Sequence, residues 1–367
     1  MLPVEQVKGI FTHAYMRAYR EDIPVPSFLR SFFTTSVYET KTVGIEVERM
    51  DEKIAVDVLR GTDGNRNQFS LSTEKQWMPP FFNEYFDATS LDRYDRVFGA
   101  DPAFTPKTIG YLATDVSRKL IELRKKIERA KELQCAQVFD TGTVVLINGD
   151  NINFKRKATS MVDLVGAGGY WSTTTTDIEA QLIAGAEFVR NNGKNGTSEF
   201  NLTMSGLAWV ALKKTNYFKD NANFQQVKLI DIMMPQKAAF GAGYMGRISA
   251  GAYIFNIWTY DEVYKAAGSG GVITRYLPSD TAFMAPVNGT RFELAHAGIP
   301  AIIRDTTNAE FSEYIAQQAS EYWINNYIDY KAKSHTFEIM SAPLAVPVTV
   351  DMIYTMTVLN VENPEIG

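Results

Sequence analysis

A chain of 367 residues with 45% hydrophobic content has room for two to three domains with real cores. Its formal charge of −5 excludes a dedicated nucleic-acid binder, which is basic across a domain, and leaves only local contact with a polyanion. A single cysteine, Cys135, excludes an intrachain disulfide and a cysteine-built zinc site, and it reads as a small buried hydrophobe.

The opening stretch MLPVEQVKGIFTHAYMRAY lacks the unbroken apolar core of a secretion signal, and no later run reaches membrane-spanning length. The expectation is a soluble protein made and folded in a cytoplasm, with no membrane partner. The sequons at Asn195, Asn201 and Asn288 then carry no meaning, because glycosylation needs secretion.

Residues 1 to about 40 form a polar and aromatic arm in which Pro24 and Pro26 break any helix before Phe28, Leu29, Arg30, Ser31, Phe32 and Phe33. That aromatic knot has too little around it to make a domain and must pack on something distant, in this chain or in a neighbour. From Lys41 to Arg60 the chain alternates: Val43, Ile45 and Val47 precede the polar break Asp51-Glu52, and Ile54, Val56 and Val58 follow it. The pattern predicts a two-stranded antiparallel ribbon. An isolated hairpin is marginal in water, so the ribbon needs a surface to lie on. Residues Phe69 to Tyr85 return as extended chain, interrupted by Pro79-Pro80 and crowded by Trp77, Phe81, Phe82, Tyr85 and Phe86.

Thr105 to Val138 carries Ile109, Leu112, Val116, Leu120, Leu123, Ile127 and Ala130 at helical spacing. Thr105 suits the N-cap, Pro106 the first helical position, and Gly142 the end. At ~1.5 Å per residue this is a rod of about 48 Å. Arg118, Lys119, Arg124, Lys125, Lys126, Arg129 and Lys131 are assigned to its outer face against Glu122, Glu128 and Glu132, a positive surplus that is either a solvated face or one turned to a polyanion.

Beyond the rod, Thr143 to Asn148 and Asp150 to Lys157 read as a hairpin, and Asp177 to Arg190 as an amphipathic helix stopped by Gly193. From Ser198 to Ile303, strands at Glu199 to Met204, Gly251 to Thr259, Val272 to Tyr276 and Thr281 to Val287, with a helix at Leu207 to Lys214, suggest a separate α+β domain. Gly241 to Gly251 and Gly268 to Gly271 are expected to be its loose loops. Extended segments at Ile324 to Tyr330, Thr336 to Met340 and Val348 to Val358, broken at Ser341-Ala342-Pro343-Leu344, are expected to pair around the rod.

Catalytic constellations are absent from the pattern. His13, His296 and His335 are isolated and read as surface or packing residues. There is no Gly-x-Ser-x-Gly elbow; Gly185 to Asn195 has the wrong spacing for a phosphate loop, and Gly268 to Gly271 neither follows a buried strand nor opens a helix. The acidic groups Glu310 with Glu313, and Asp87 with Asp92 and Asp95, read as solvated faces. Neither a cofactor nor a metal is expected. A rod, a ribbon, an arm and a second domain leave three features in need of partner surfaces, which self-assembly supplies most simply.

Phe28-Leu29-Arg30-Ser31-Phe32-Phe33, Asp177-Ile178-Glu179-Ala180, Tyr276-Leu277-Pro278 before Thr281, and Ser341-Ala342-Pro343-Leu344 occur in this order. In these stretches the chain resembles the major capsid proteins of tailed double-stranded DNA bacteriophages, lambda-like branch, capsid protein E family. The resemblance implies an α+β chain of the Hong Kong 97-type capsid fold. It would have an N-terminal arm (1–40), an E-loop β-ribbon (41–90), a peripheral P domain (91–171 and 321–367) with a spine helix at 106–138, and an axial A domain (172–320).

It further implies a non-enzymatic protein that self-assembles as pentamers and hexamers into the icosahedral capsid of the virion, assembled in the host cytoplasm. Phe28, Phe32, Phe33, Val43, Ile45, Val47, Ile54, Val56 and Val58 are then subunit-interface candidates. Arg118, Lys119, Lys125, Lys126 and Arg129 are candidates to face packaged double-stranded DNA through weak, non-specific contact. Scaffolding, portal and decoration proteins are further implied partners; residues 1–27 are no charged coiled coil, so a scaffold is expected as a separate protein. An encapsulin-like nanocompartment shell is the first alternative. A soluble enzyme with dispersed active-site residues in the 198–320 region is the second.

Overall fold

The computed structural model describes residues 25–48, 72–89, 106–146, 151–165, 169–223, 230–237, 241–266, 272–304, 313–329 and 334–360. The rod is helix α1, Pro106–Asp140, 35 residues and so ~52 Å long. Thr105 lies outside the described residues. The other end closes at Gly142, whose φ of 68° is left-handed, with its N–H donating to the Gln137 carbonyl at 3.0 Å.

The arm enters through a short 3-10 turn, Leu29–Phe32, and strand β1, Thr34–Val37. Strand β2, Val43–Glu48, pairs antiparallel with β3, Ser72–Trp77, from Val43 opposite Trp77 to Glu48 opposite Ser72. The ribbon therefore returns at 72–77 rather than at the expected Ile54, Val56 and Val58, which lie outside the described residues. Strand β4, Phe82–Thr89, follows Pro79-Pro80.

After α1 the hairpin of β5, Thr143–Val145, and β6, Asn151–Asn153, leads to β7, Met161–Asp163. Helix α2, Ile178–Asn192, is capped by Asp177, whose carboxylate accepts the Ala180 N–H at 3.0 Å. Strand β8, Glu199–Met204, precedes α3, Gly206–Lys214, and α4, Asn216–Asn223. There follow β9, Ile230–Lys237, β10, Ala242–Ala250, and β11, Tyr253–Tyr260. The stretch expected to be a loose loop at 241–251 is thus mostly strand β10, kinked where its register shifts between Tyr244 and Gly246; Gly268 to Gly271 lie outside the described residues. A small hairpin joins β12, Val263–Lys265, to β13, Ile273–Arg275.

The last third contributes β14, Thr281–Pro286, β15, Phe292–His296, β16, Ile299–Arg304, and β17, Glu313–Gln318. It ends with β18, Trp323–Asp329, β19, Ser334–Ser341, β20, Pro343–Pro347, and β21, Tyr354–Thr357. The expected break at Ser341 to Leu344 shrinks to Ala342, because Pro343 opens β20 at a sheet edge, where its missing N–H costs nothing.

The largest sheet has the order β7-β21-β14-β8-β11-β10-β9. Its interior strand β14 is buried along its whole length. Phe283 and Ala285 face the core shared with α1 and the arm; Ala282 and Met284 face the core shared with α2 and α3. A second sheet, β1-β15-β20, and a third, β18-β19-β4, lie along α1. The sequence-based domain boundaries do not follow the sheets. Strands β7 and β21, expected in the peripheral unit, join the largest sheet, with β21 lying between β7 and β14, whereas β15, expected in the axial unit, pairs with arm strand β1. Both of those long-range pairings are parallel, and local sequence carries no signal for a parallel partner.

Candidate assembly surfaces and the arm anchor

The helical stripe that buries Leu120, Leu123, Ile127, Cys135 and Val138 passes through position 131, four residues after Ile127 and four before Cys135. Lys131 therefore sits inside the molecule at 0% exposure rather than on the outer face assigned to it. Its ammonium donates to Glu321 at 2.7 Å and to the Tyr322 hydroxyl at 2.6 Å, and lies 4.1 Å from the centre of the Tyr322 ring. Burial lowers its pKa to about 8, against the pull of Glu321. Glu128 and Glu132, also expected outside, are buried on the side that receives the arm.

Glu132 is the anchor. One carboxylate oxygen accepts the Leu29 N–H and the Tyr260 hydroxyl, each at 2.9 Å; the other accepts the Arg30 N–H at 3.2 Å. The Arg30 guanidinium pairs with Glu128 and approaches Glu132 at 3.4 Å. Burial pushes the Glu132 pKa up while these donors pull it down. Arg124 lies over the Tyr322 ring at 5.1 Å, and the Tyr322 hydroxyl bonds Glu128. Three cations, Arg30, Arg124 and Lys131, thus face three carboxylates, Glu128, Glu132 and Glu321.

The arm's aromatic residues complete the anchor. Phe28 packs 5.2 Å from Trp258 and 5.8 Å from Tyr260 on β11, and Phe32 and Phe33 meet Phe139 of α1 at 5.4 and 5.5 Å. Phe139 in turn stacks on Phe283 at 4.4 Å. Of the two places open to the aromatic knot, the structure assigns it to this chain's own core. Phe28, Phe33 and Val43 are buried there, and Phe32 is partly buried against the same cluster. Removing these large apolar side chains from water stabilises the docked arm. Ile45 and Val47 lie on β2, with only their backbone described.

The outer face of α1 retains a positive surplus. Arg118, Lys119, Lys126 and Arg129 are exposed and Lys125 is half-buried, against the exposed carboxylate of Glu122, the only one among the described side chains of the helix. Lys119 pairs with Glu122 at 2.8 Å and Lys126 with Glu84 of β4 at 3.2 Å. Such exposed pairs contribute at most ~1 kcal/mol and leave the field positive.

A second exposed face is aromatic. In the sheet β18-β19-β4 the inward residues Phe82, Phe86, Ile324 and Ile339 cover Leu123 and Ile127 of α1. The alternate positions turn out: Tyr85 is 63% and Tyr327 47% exposed, with Phe81 and Met78 exposed at the ribbon root.

Arg156, which the sequence reading passed over, fixes the far end of α1. Its guanidinium donates to the carbonyls of Phe139 (2.9 Å), Asp140 (3.2 Å), Ser160 (3.1 Å) and Ile353 (3.2 Å) and to the Thr355 hydroxyl (2.9 Å). A cation at a helix C-terminus offsets the partial negative charge of the last carbonyls. The aliphatic part of Arg156 lies where a side chain on Gly142 would be, 2.4 Å from an ideal Cβ.

His296 and His335 are buried, while His13 lies outside the described residues. Among the described residues no His, Cys, Asp or Glu group is arranged to hold a metal, and no helix is long and apolar enough to cross a membrane.

The family described as phage major capsid protein E matches this chain over residues 12–358. No curated protein matches it. Among solved structures, a protein of an Escherichia coli CFT073 prophage, described as a capsid protein, aligns with a TM-score of 0.61 at 15% identity, covering 98% of this chain and 99% of that one. The mature capsid of bacteriophage PhiM1 aligns with a TM-score of 0.47 at 11% identity, covering 93% and 90%. The SrpI encapsulin of Synechococcus elongatus PCC 7942 aligns with a TM-score of 0.46 at 11% identity, covering 93% and 91%. The fold shared with the prophage protein is the Hong Kong 97 capsid fold expected above.

Proposed function

Because this chain belongs to the phage major capsid protein E family, we propose that it acts by closing with copies of itself, as pentamers and hexamers, into the icosahedral shell around the phage double-stranded DNA. The observation that carries this reading is the family match across residues 12–358. Shell assembly uses many moderate interfaces that become stable together, and closed symmetry makes a container rather than a fibre.

Within that scheme we assign the ribbon β2-β3 and its continuation to the E-loop, α1 to the spine, β18-β19-β4 with α1 to the peripheral domain, and the large sheet with α2 and α3 to the axial domain. Subunit contacts fall to the ribbon and to the exposed aromatic face of Tyr85 and Tyr327. The basic face of α1, Arg118, Lys119, Lys125, Lys126 and Arg129, turns to packaged DNA, since sequence-independent phosphate contacts need only Lys and Arg. Scaffolding, portal and decoration proteins are separate partners, and the shell forms in the host cytoplasm.

Electron microscopy with light scattering, on the protein expressed alone and with its neighbouring genes, tests the reading. Closed shells or rings of five and six are expected, filled with DNA in the complete system. A persistent monomer of 41.2 kDa under both conditions would overturn it. Enzyme cargo in place of DNA would move the assignment to a nanocompartment. Replacing Lys125, Lys126 and Arg129 by Gln is expected to leave shell formation intact and to weaken DNA retention; equal stability of filled particles would remove the DNA-facing role.

A further inference from the structure

His296 ends β15, the strand that joins the arm to the rest of the molecule. It is fully buried, lies opposite Val37 of β1 and Pro343 of β20, and its carbonyl accepts the Tyr38 N–H at 2.8 Å. Neither ring nitrogen makes a well-formed hydrogen bond. The charged groups that face it are Lys131 from α1 and Glu321 from the segment before β18; the backbone of Ser36 on β1 and of Leu294 on β15 also approaches it and favours its charged form, less than burial and Lys131 oppose it. Lys131 already occupies Glu321 at 2.7 Å, so a proton on the imidazole would find its nearest carboxylate engaged.

The wider cluster is formally neutral only while the arm is docked, because one of its three cations, Arg30, belongs to the arm. A charged His296 tips that buried cluster to a net positive charge, which a low-dielectric interior penalises. Arg30 is the cation that can leave, since it rides on the arm, which is held by the four-residue edge strand β1, the Glu132 anchor and the packing of Phe28, Phe32 and Phe33.

We propose that residues 27–38 form an acid-releasable latch: protonation of His296 undocks the arm from α1, β11 and β15 while the large sheet stays folded. Burial, reinforced by Lys131, lowers the His296 pKa to about 4 in the docked state, so charging it is resisted until the arm moves. A neutral-when-docked histidine makes the release equilibrium rise about tenfold per pH unit between its docked and its ordinary pKa.

Hydrogen exchange on the full chain, corrected for the intrinsic pH dependence of exchange, tests this between about pH 7 and pH 4.5. Peptides spanning 27–38 are expected to lose protection by about tenfold per pH unit below about pH 6.5, with β8 and β14 unchanged. Constant arm protection, or loss of β8 and β14 at the same pH, would overturn the proposal. His296→Phe is expected to abolish the pH dependence of the arm. Should that variant not fold, Glu321→Gln is expected to move release to higher pH, because the docked imidazolium loses the carboxylate that favours it; an unmoved midpoint would equally overturn it.

Discussion

At the scale of single residues, two buried ionic groups carry the architecture. Glu132 ties arm, spine and large sheet through the Leu29 and Arg30 N–H groups and the Tyr260 hydroxyl. Glu132→Ala strands those donors and leaves Arg30 beside Glu128 alone, so it is expected to cost about 3–5 kcal/mol in denaturant unfolding of the subunit. Arg156→Met takes the guanidinium away from the Asp140, Ser160 and Ile353 carbonyls, leaving the Phe139 carbonyl to the Thr355 hydroxyl, and is expected to cost about 3 kcal/mol or more in the same measurement. Asp140, beside it, has its pKa raised to about 6 by burial and by Asp280. A carboxyl that holds its proton more tightly when folded stabilises fully below its ordinary range near pH 4, and that contribution is lost as pH rises through about 6. Asp140→Asn is therefore expected to be more stable than the parent above pH 6, with thermal melts converging toward pH 4; parallel melts across that range would refute the assignment.

Among elements, the spine helix has a legible start and stop. Its terminator is doubly constrained: Gly142 is left-handed, and Arg156 occupies the space a side chain would need. Gly142→Ala is expected to destabilise by more than the ~1–2 kcal/mol of an ordinary left-handed alanine, because Arg156 must also move. The arm's 3-10 turn behaves as a plug between α1 and β11. Phe28→Ala should open a cavity between Trp258 and Tyr260 and cost about 3–5 kcal/mol. Loss of near-ultraviolet signal from Trp258 without loss of helical signal would mark that opening.

For the whole molecule, the ribbon and the core are separable. Val43 and Trp77 root the ribbon in the core, Val43 at 0% exposure and Trp77 against Phe154 at 5.5 Å. Deleting residues 51–69 removes chain beyond that root, so the subunit is expected to fold with an unchanged melting temperature and to fail in assembly, measured by light scattering. Unfolding of the deletion variant would contradict a ribbon that serves neighbours rather than its own core.

The elements with local signals were readable from sequence: the 3-4 stripe and Gly142 of α1, Asp177 at the head of α2, the alternation of β2, and the short strand runs of β8 and β14. The order of short stretches from Phe28 to Leu344 was enough to indicate the capsid family. Tertiary structure alone decided which strands meet, because a parallel partner such as β21 for β7 or β15 for β1 leaves no mark on adjacent residues. It also decided that Lys131, Glu128 and Glu132 point inward. A charge on a helix reads as solvated until a neighbour from elsewhere in the chain, here Arg30, Tyr260, Glu321 and Tyr322, arrives to neutralise and hydrogen-bond it.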